Sequence, residues 1–147
     1  MIDVIIPVRN SEKDLHRCLE ALHKQERIVN VIVVDGYSTD NTLEVANKFG
    51  VKVYPEPSSK CPGSKRAVAC NEGLRHCTSP YVAFLDADSE PPSTWSRDME
   101  LNMEKWESGV ARDLPSDGAI PVAGITSSCT SSELTPISLI MKVGSPN

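Results

Sequence analysis

The sequence predicts an α/β domain, a mainly parallel sheet with helices on both faces. Three observations predict it. Short β-branched apolar runs recur at Ile2–Ile6, Val31–Val34, Val51–Tyr54 and Tyr81–Leu85. Segments with helical apolar spacing separate them, and this alternation is the signature of crossover connections, which are right-handed. The strand runs are nearly continuous in apolar residues, as a sheet covered on both faces requires.

Each element has a local cause. Ile2–Ile6 is ended by Pro7. Ser11 is expected to cap the first helix, with Asp14 at the reciprocal capping-box position. Leu15, Cys18, Leu19 and Leu22 then follow at i, i+3, i+4 and i+7, one apolar stripe. Val31–Val34 closes at Asp35-Gly36, and the polar cluster Ser38–Thr42 opens a helix that should stop at Gly50. Val51–Tyr54 is halted by Pro55 and Pro57. A loop through Gly63 leads to a third helix near Ser64–His76, with Ala67, Cys70, Leu74 and Cys77 on one face. Tyr81–Leu85 ends in Asp86-Ala87-Asp88. After Pro91-Pro92, Ser93–Glu107 should be a helix burying Trp95, Met99, Met103 and Trp106. Ile120–Thr126 reads as a further strand and Ser127–Ser132 as loop. Leu134–Val143 reads equally as strand or helix, because Pro136 interrupts it.

Composition removes several classes. The chain has 147 residues, 39% of them apolar and 24% charged, which suits one domain of common size rather than a disordered chain. Its net charge of -5 and pI near 5.2 speak against a broad nucleic-acid-binding face. The longest apolar run, Tyr81–Leu85, falls far short of the roughly 18 residues of a membrane span. The start, MIDVIIPVRN, lacks the basic leader and apolar core of a signal peptide. Five cysteines, with no CxxC and no glycosylation sequon, predict reduced thiols in a cytoplasmic chain. Cys70, His76 and Cys77 are poorly spaced for zinc.

In open parallel sheets, ligands bind outside the carboxyl ends of the strands. The residues to inspect are therefore Pro7–Asn10, Asp35–Ser38, Pro55–Gly63 and Asp86–Asp88. On an extended segment Asp86 and Asp88 point to one side, and two carboxylates converging there call for a cation. A hard divalent ion suits oxygen ligands and can bridge to a diphosphate. An EF-hand loop is excluded by Pro91 where glycine is needed. A phosphatase of the aspartate-nucleophile type would carry its motif after the first strand. Asp35 faces the same crevice, where its carboxylate either accepts from a nucleobase N–H or makes turn and cap bonds. No glycine-rich phosphate loop follows the first strand, so phosphates would need basic side chains such as Lys60, Lys65 and Arg66. His16, His23 and His76 form no catalytic set.

Together, VIIPVRNSEKDLHRCLEAL, VIVVDGYSTDNTLEVANKFG, GSKRAVACNEGL and SPYVAFLDADSEPPSTW resemble the four N-terminal blocks of the family 2 glycosyltransferases, which have the Rossmann-like GT-A fold. The resemblance covers about residues 2–95. It implies a metal-dependent, inverting enzyme that takes a UDP- or GDP-linked sugar to an acceptor. The implied cofactor is a divalent metal, Mn2+ or Mg2+. By position, Pro7, Val8 and Arg9 would line the nucleoside pocket, with Glu12 near the base or ribose and Asp35 at the nucleobase. Lys65 and Asn71 would lie near the donor, Asp86 at the ribose or metal, and Asp88 on the metal.

The chain also departs from the family pattern. Arg9 stands where Tyr is frequent, Gly36 where many members have a second Asp, and Cys70 where Arg is frequent. Members continue well past residue 147, into a part that supplies the acceptor site and an acidic base. No Glu-Asp pair follows Asp88 here, so no catalytic base is assigned. The expected division is a nucleotide-sugar-binding domain over 1–126 and a tail, or the start of a truncated acceptor region, over 127–147. A catalytically incomplete donor-binding module, completed by a partner subunit or a second copy, is the alternative function. The resemblance also implies a place at the inner face of the membrane for a cytoplasmic chain.

Overall fold

Strand β1 (Ile2–Val8) is buried along nearly its whole length, which places it in the middle of the sheet. Its alternate residues serve two cores. Ile2, Val4, Ile6 and Val8 face one layer of helices, and Ile5 faces the other. The computed structural model describes residues 1–27, 29–57 and 65–101, and the backbone of 139–142; the side chain of Lys65 and those of 139–142 are not described. The elements after β1 are α1 (Glu12–His23), β2 (Val29–Asp35), α2 (Thr42–Lys48), β3 (Lys52–Pro55), α3 (Lys65–Arg75), β4 (Tyr81–Phe84) and β5 (Leu139–Lys142). Residues 95–101 are also helical.

The sheet order is β3-β2-β1-β4-β5, with β1 to β4 parallel and β5 antiparallel to β4. The order reverses between β1 and β4, the kind of switch point beside which open α/β sheets bind ligands. β5 lies within the stretch that read equally as strand or helix, inside the segment expected to be a tail. The expected strand at 120–126, the loop at 127–132, and Met103 and Trp106 lie outside the described residues. Among those described, no helix is long and apolar enough to cross a membrane.

On one face, Leu15, Cys18, Leu19 and Leu22 of α1 pack with Val45 and Ala46 of α2, and Trp95 and Met99 close the layer. Each fully buried aliphatic side chain of this kind contributes about 1.5–3 kcal/mol. On the other face α3 covers Ile5, Ile32, Val34 and Val82. Its buried positions are Ala69 and Gly73, with Leu74 and Cys77 beside them, whereas Ala67 is exposed. The helical face expected from sequence is thus rotated. The reason is size: a Cβ on Gly73 would sit 2.5 Å from Ile5 Cγ2, so only glycine lets α3 approach β1 this closely.

Other local expectations are also corrected. Pro7 does not end β1. Ile5 O accepts from Leu85 N (3.0 Å) on the β4 side and Val8 O from Gly36 N (2.8 Å) on the β2 side. The Pro7 nitrogen therefore faces the β4 side at the rung after Ile5↔Phe84, so its missing N–H limits pairing with β4 only, while pairing with β2 continues to Val8. Ser11 precedes α1 but its hydroxyl donates to Arg9 O (3.1 Å), and Asp14 pairs with Arg17 instead of closing a capping box. The cap comes from another loop. Asp40 accepts from Glu12 N (3.2 Å) at the start of α1 and from Thr42 N (3.1 Å) at the start of α2. Gly50, at φ 66°, ends α2 as expected.

At the amino-terminal edge of the sheet, the fully buried Asp3 is satisfied by donors from β2 and from the α3–β4 connection. Its oxygens accept from Asn30 Nδ2 (2.9 Å), Thr78 N (2.6 Å), Ser79 N (2.9 Å) and Ser79 Oγ (2.8 Å). Burial alone raises its pKa; the bonds from Ser79, Asn30 and Thr78 outweigh burial and hold it below the ordinary carboxylate value.

Gly73→Ala is expected to lower stability by about 1–2 kcal/mol, because overpacking against Ile5 outweighs the gain in helix propensity; an unchanged urea midpoint contradicts the packing described. For Asp3 the folded pKa is the lower one, so its contribution is complete above the ordinary value near 4 and is lost as pH falls through the folded value. Urea unfolding from neutral pH to about pH 2 should show this loss. Asp3→Ala should flatten that slope and cost about 1–3 kcal/mol at neutral pH by leaving the Ser79 and Thr78 donors unmatched.

Candidate functional site

The carboxyl ends of β1, β2 and β3 are stitched together one residue past the strands. Gly36 N donates to Val8 O and Glu56 N donates to Asp35 O, each at 2.8 Å. These bonds level the floor of an open crevice of about 230 Å3, lined by Pro7, Val8, Arg9, Gly36, Glu56, Arg66 and Ala69. Three sequence-expected segments thus meet there, those after β1, β2 and β3. α3 contributes Arg66 and Ala69 from its first turns, so the positive end of that helix opens on the crevice.

The loops above the floor are braced against each other. Asn10 and Tyr37 both adopt left-handed backbone, at φ 49° and 60°. Asn10 N donates to Ser38 Oγ (2.8 Å), and Thr39 N donates back to Asn10 Oδ1 (2.7 Å). Asp35 is buried, 6% exposed, and both its oxygens accept from Ser38 N, at 3.3 and 3.1 Å. Of the two readings of Asp35, the geometry displays the turn-forming one.

Asp86 and Asp88 follow β4. They do not lie on an extended segment: Ser89 N donates to Asp86 O (3.0 Å), which closes a turn over 86–89. The turn replaces the same-side argument with a different pairing. Asp86 forms an ion pair with Arg66 of α3, while Asp88 is exposed and, among the described residues, makes no ion pair. Nearby, Arg17 reaches Glu90 (3.1 Å) and so ties α1 to the segment after the turn.

Beneath the turn lies Cys18, whose Sγ sits 3.9 Å from Asp86 O. Burial, reinforced by the charges of Asp88, Glu90 and Asp86, pushes its thiol up to about 12. Among the described residues, Cys18, Cys70 and Cys77 are free thiols.

The remaining expected residues are placed less centrally. Glu12 accepts from Asn41 Nδ2 (3.3 Å) and lines the groove between α1 and α2, away from the crevice. Asn71 is exposed on α3 and does not line the crevice. Lys65 begins α3, with its side chain outside the described residues, as are Lys60 and Gly63. Glu56 falls in the Pro55–Gly63 segment that position marks for inspection, directly after a strand that ends at the ligand edge, but it was not singled out as a donor-binding residue. Arg66 appeared only as one of three interchangeable cations; its contact with Asp86 singles it out.

A larger cavity, about 420 Å3, lies at the opposite edge, among Leu22, Val29, Phe49 and Val51. It faces the carboxyl ends of α1 and α2, and Glu26, Arg27 and Lys52 also line it. The smaller crevice lies instead at the carboxyl edge of the sheet, where open parallel sheets bind ligands. Among the described residues, no three His, Cys, Asp or Glu side chains cluster as a metal cage.

Comparison with known proteins gives a consistent result. Residues 3–118 match the family described as Glycosyl transferase family 2. A 4,4'-diaponeurosporenoate glycosyltransferase of Staphylococcus haemolyticus is 38% identical over 91 residues, 60% of this chain and 24% of that protein. The chain therefore spans about a quarter of that relative's length. Among solved structures, S. aureus TarS 1-349 superposes with a TM-score of 0.65 at 25% identity, over 96% of this chain and 46% of its own, and it has also been solved with UDP. The mannosyltransferase PcManGT of Pyrobaculum calidifontis, in complex with GDP-Man and Mn2+, has a TM-score of 0.56 at 28% identity, over 71% of this chain and 31% of its own. The fold is the Rossmann-like GT-A arrangement of these neighbours.

Because a thiol with a pKa near 12 stays protonated at neutral pH, Cys18 is expected to resist iodoacetamide in the folded protein and to react promptly in urea. Peptide mapping that finds native Cys18 alkylated as fast as the unfolded residue contradicts its placement under the turn.

Proposed function

The chain belongs to glycosyl transferase family 2, and from that premise we propose that it binds a nucleotide-diphosphate sugar in the crevice at the carboxyl ends of β1, β2 and β3, with the Asp86–Asp88 turn after β4 reached through Arg66, and takes part in transfer of the sugar, with inversion, to an acceptor. The observation that carries this reading is the meeting of Arg66 and Asp86 beside an exposed Asp88, at the switch point of the sheet. The neighbours solved with UDP or with GDP-Man and Mn2+ support it.

Pro7, Val8 and Arg9 form one wall for the nucleoside, and Asp35 holds the loop that carries Gly36. Lys65 and Asn71 flank this region on α3. Arg66 and the amino-terminal turn of α3 receive the diphosphate in this reading, a natural ligand for a guanidinium and for a helix amino terminus.

The donor set fits a divalent ion. Asp86 and Asp88 are hard oxygen ligands, and Mg2+-like ions are commonly held by one or two carboxylates together with substrate phosphates and water. A cage of three protein ligands is therefore not required. When bound, such an ion supplies charge stabilisation to the departing diphosphate. Arg66 neutralises the leaving phosphate oxygen as the bond between it and the sugar C1 breaks. The acceptor oxygen forms its bond to C1 from the opposite side and gives up its proton to a base, a role assigned to none of the described residues.

Calorimetric titration with UDP and GDP, in Mn2+, in Mg2+ and in chelator, tests the reading. At least one nucleotide should bind in a metal-dependent way, and Asp88→Asn should weaken that binding about tenfold or more. A folded protein that binds neither nucleotide under any metal condition overturns the donor-site assignment.

A further inference from the structure

We propose that Glu56 and Arg9 read the base of the donor, and that their chemistry selects guanine over uracil, making the natural ligand a guanosine-diphosphate-linked sugar. This rests on the nucleotide-sugar reading above.

Glu56 is held at the crevice by its own backbone, through the bond from Glu56 N to Asp35 O. Its side chain lies against Gly36: a Cβ there would be 3.0 Å from Glu56 Oε2 and 3.4 Å from Arg9 Cβ. A carboxylate and the stem of a guanidinium therefore flank one glycine, and both line the crevice whose apolar walls are Pro7, Val8 and Ala69. Among the described residues, neither the Glu56 carboxylate nor the Arg9 guanidinium is recorded in a hydrogen bond or ion pair. Asp35, the other carboxylate at this edge, is buried and already engaged with Ser38. The open acceptor at the crevice is thus Glu56. At about 230 Å3 the space is below the roughly 300–1,000 Å3 of a pocket for a whole small molecule, which suits one part of a nucleotide.

An ionised carboxylate accepts hydrogen bonds and cannot donate them. Guanine presents two adjacent donors, N1–H and the 2-amino group, which match the two oxygens of one carboxylate. Uracil presents a single N3–H between two carbonyl oxygens, and those oxygens would face the carboxylate with like partial charge. Arg complements guanine as well, since its paired N–H groups match O6 and N7. Adenine offers a donor beside an acceptor and suits neither group. A site with fixed polar groups rejects the ligand that leaves them unpaired.

The test is calorimetric titration of the full chain with GDP, UDP and inosine diphosphate in Mg2+. Inosine diphosphate lacks only the 2-amino group. The wild type should bind GDP about tenfold or more tighter than UDP or inosine diphosphate. Glu56→Gln should bring GDP and inosine diphosphate to within about threefold of each other. Gly36→Ala keeps the Glu56 charge but places a methyl group against its carboxylate, and should weaken GDP binding while melting near the wild-type temperature. UDP binding as tight as GDP, or a GDP-to-inosine ratio unaffected by Glu56→Gln, overturns the inference and leaves the donor-site reading standing. Failure of all three nucleotides to bind the folded wild type overturns both.

Discussion

The register of β1 against its two parallel neighbours fixes where every loop of the candidate site begins. Val8 stands opposite Asp35, and Ile5 opposite Phe84. The chain therefore leaves β1, β2 and β4 at one edge, on either side of the switch in strand order. A slip of one residue would turn the buried side chains of β1 to the wrong layer. That register is held by burial on both faces, by α1 and α2 on one side and by the close approach of α3 over Gly73 on the other. Packing at the middle of the sheet thus sets the distance between Arg66, on α3, and Asp86, after β4.

Polar groups fix the two ends of this frame in different ways. At the amino-terminal edge Asp3 is fully buried and gathers donors from β2 and the α3–β4 connection. At the ligand edge Asp40 serves two helix starts at once, and Asn10 and Ser38 exchange bonds across two loops. The first arrangement clamps the sheet. The second holds two loops in left-handed conformations that packing alone would not select. Such preorganisation is what a binding site needs before its ligand arrives.

Much of this was legible in the sequence, because the signals were strong and local. The α1 stripe of Leu15, Cys18, Leu19 and Leu22 is buried as its spacing requires, and Gly50 ends α2 at positive φ. β1 to β4 alternate with helices and pair in parallel as their composition implies. The misreadings have physical causes. The capping box failed because a carboxylate from another loop, Asp40, takes the first donor of α1. Pro7 was misread as a strand end because its missing N–H faces β4 alone; on the β2 side β1 runs on to Val8. The face of α3 was misjudged because Ala69 and Gly73 bury by being small, which a search for large apolar residues overlooks. At the site, Asp86 and Asp88 were found from sequence, yet their turn and the pairing with Arg66 depend on a contact between α3 and β4. Glu56 lay in a segment marked by position but was not singled out, because its closeness to Gly36, twenty residues earlier in the chain, is a contact that the sequence does not display.

The central claim is that the ligand edge of the sheet, at the β1–β4 switch, is where this chain holds its donor. Amide shift mapping by NMR during titration with GDP and Mg2+ addresses it directly. The account predicts that the perturbed amides cluster at Arg9, Gly36, Glu56, Arg66 and Asp88. Perturbations that cluster instead at Leu22, Val29, Phe49 and Val51, around the larger cavity at the opposite edge, would contradict it.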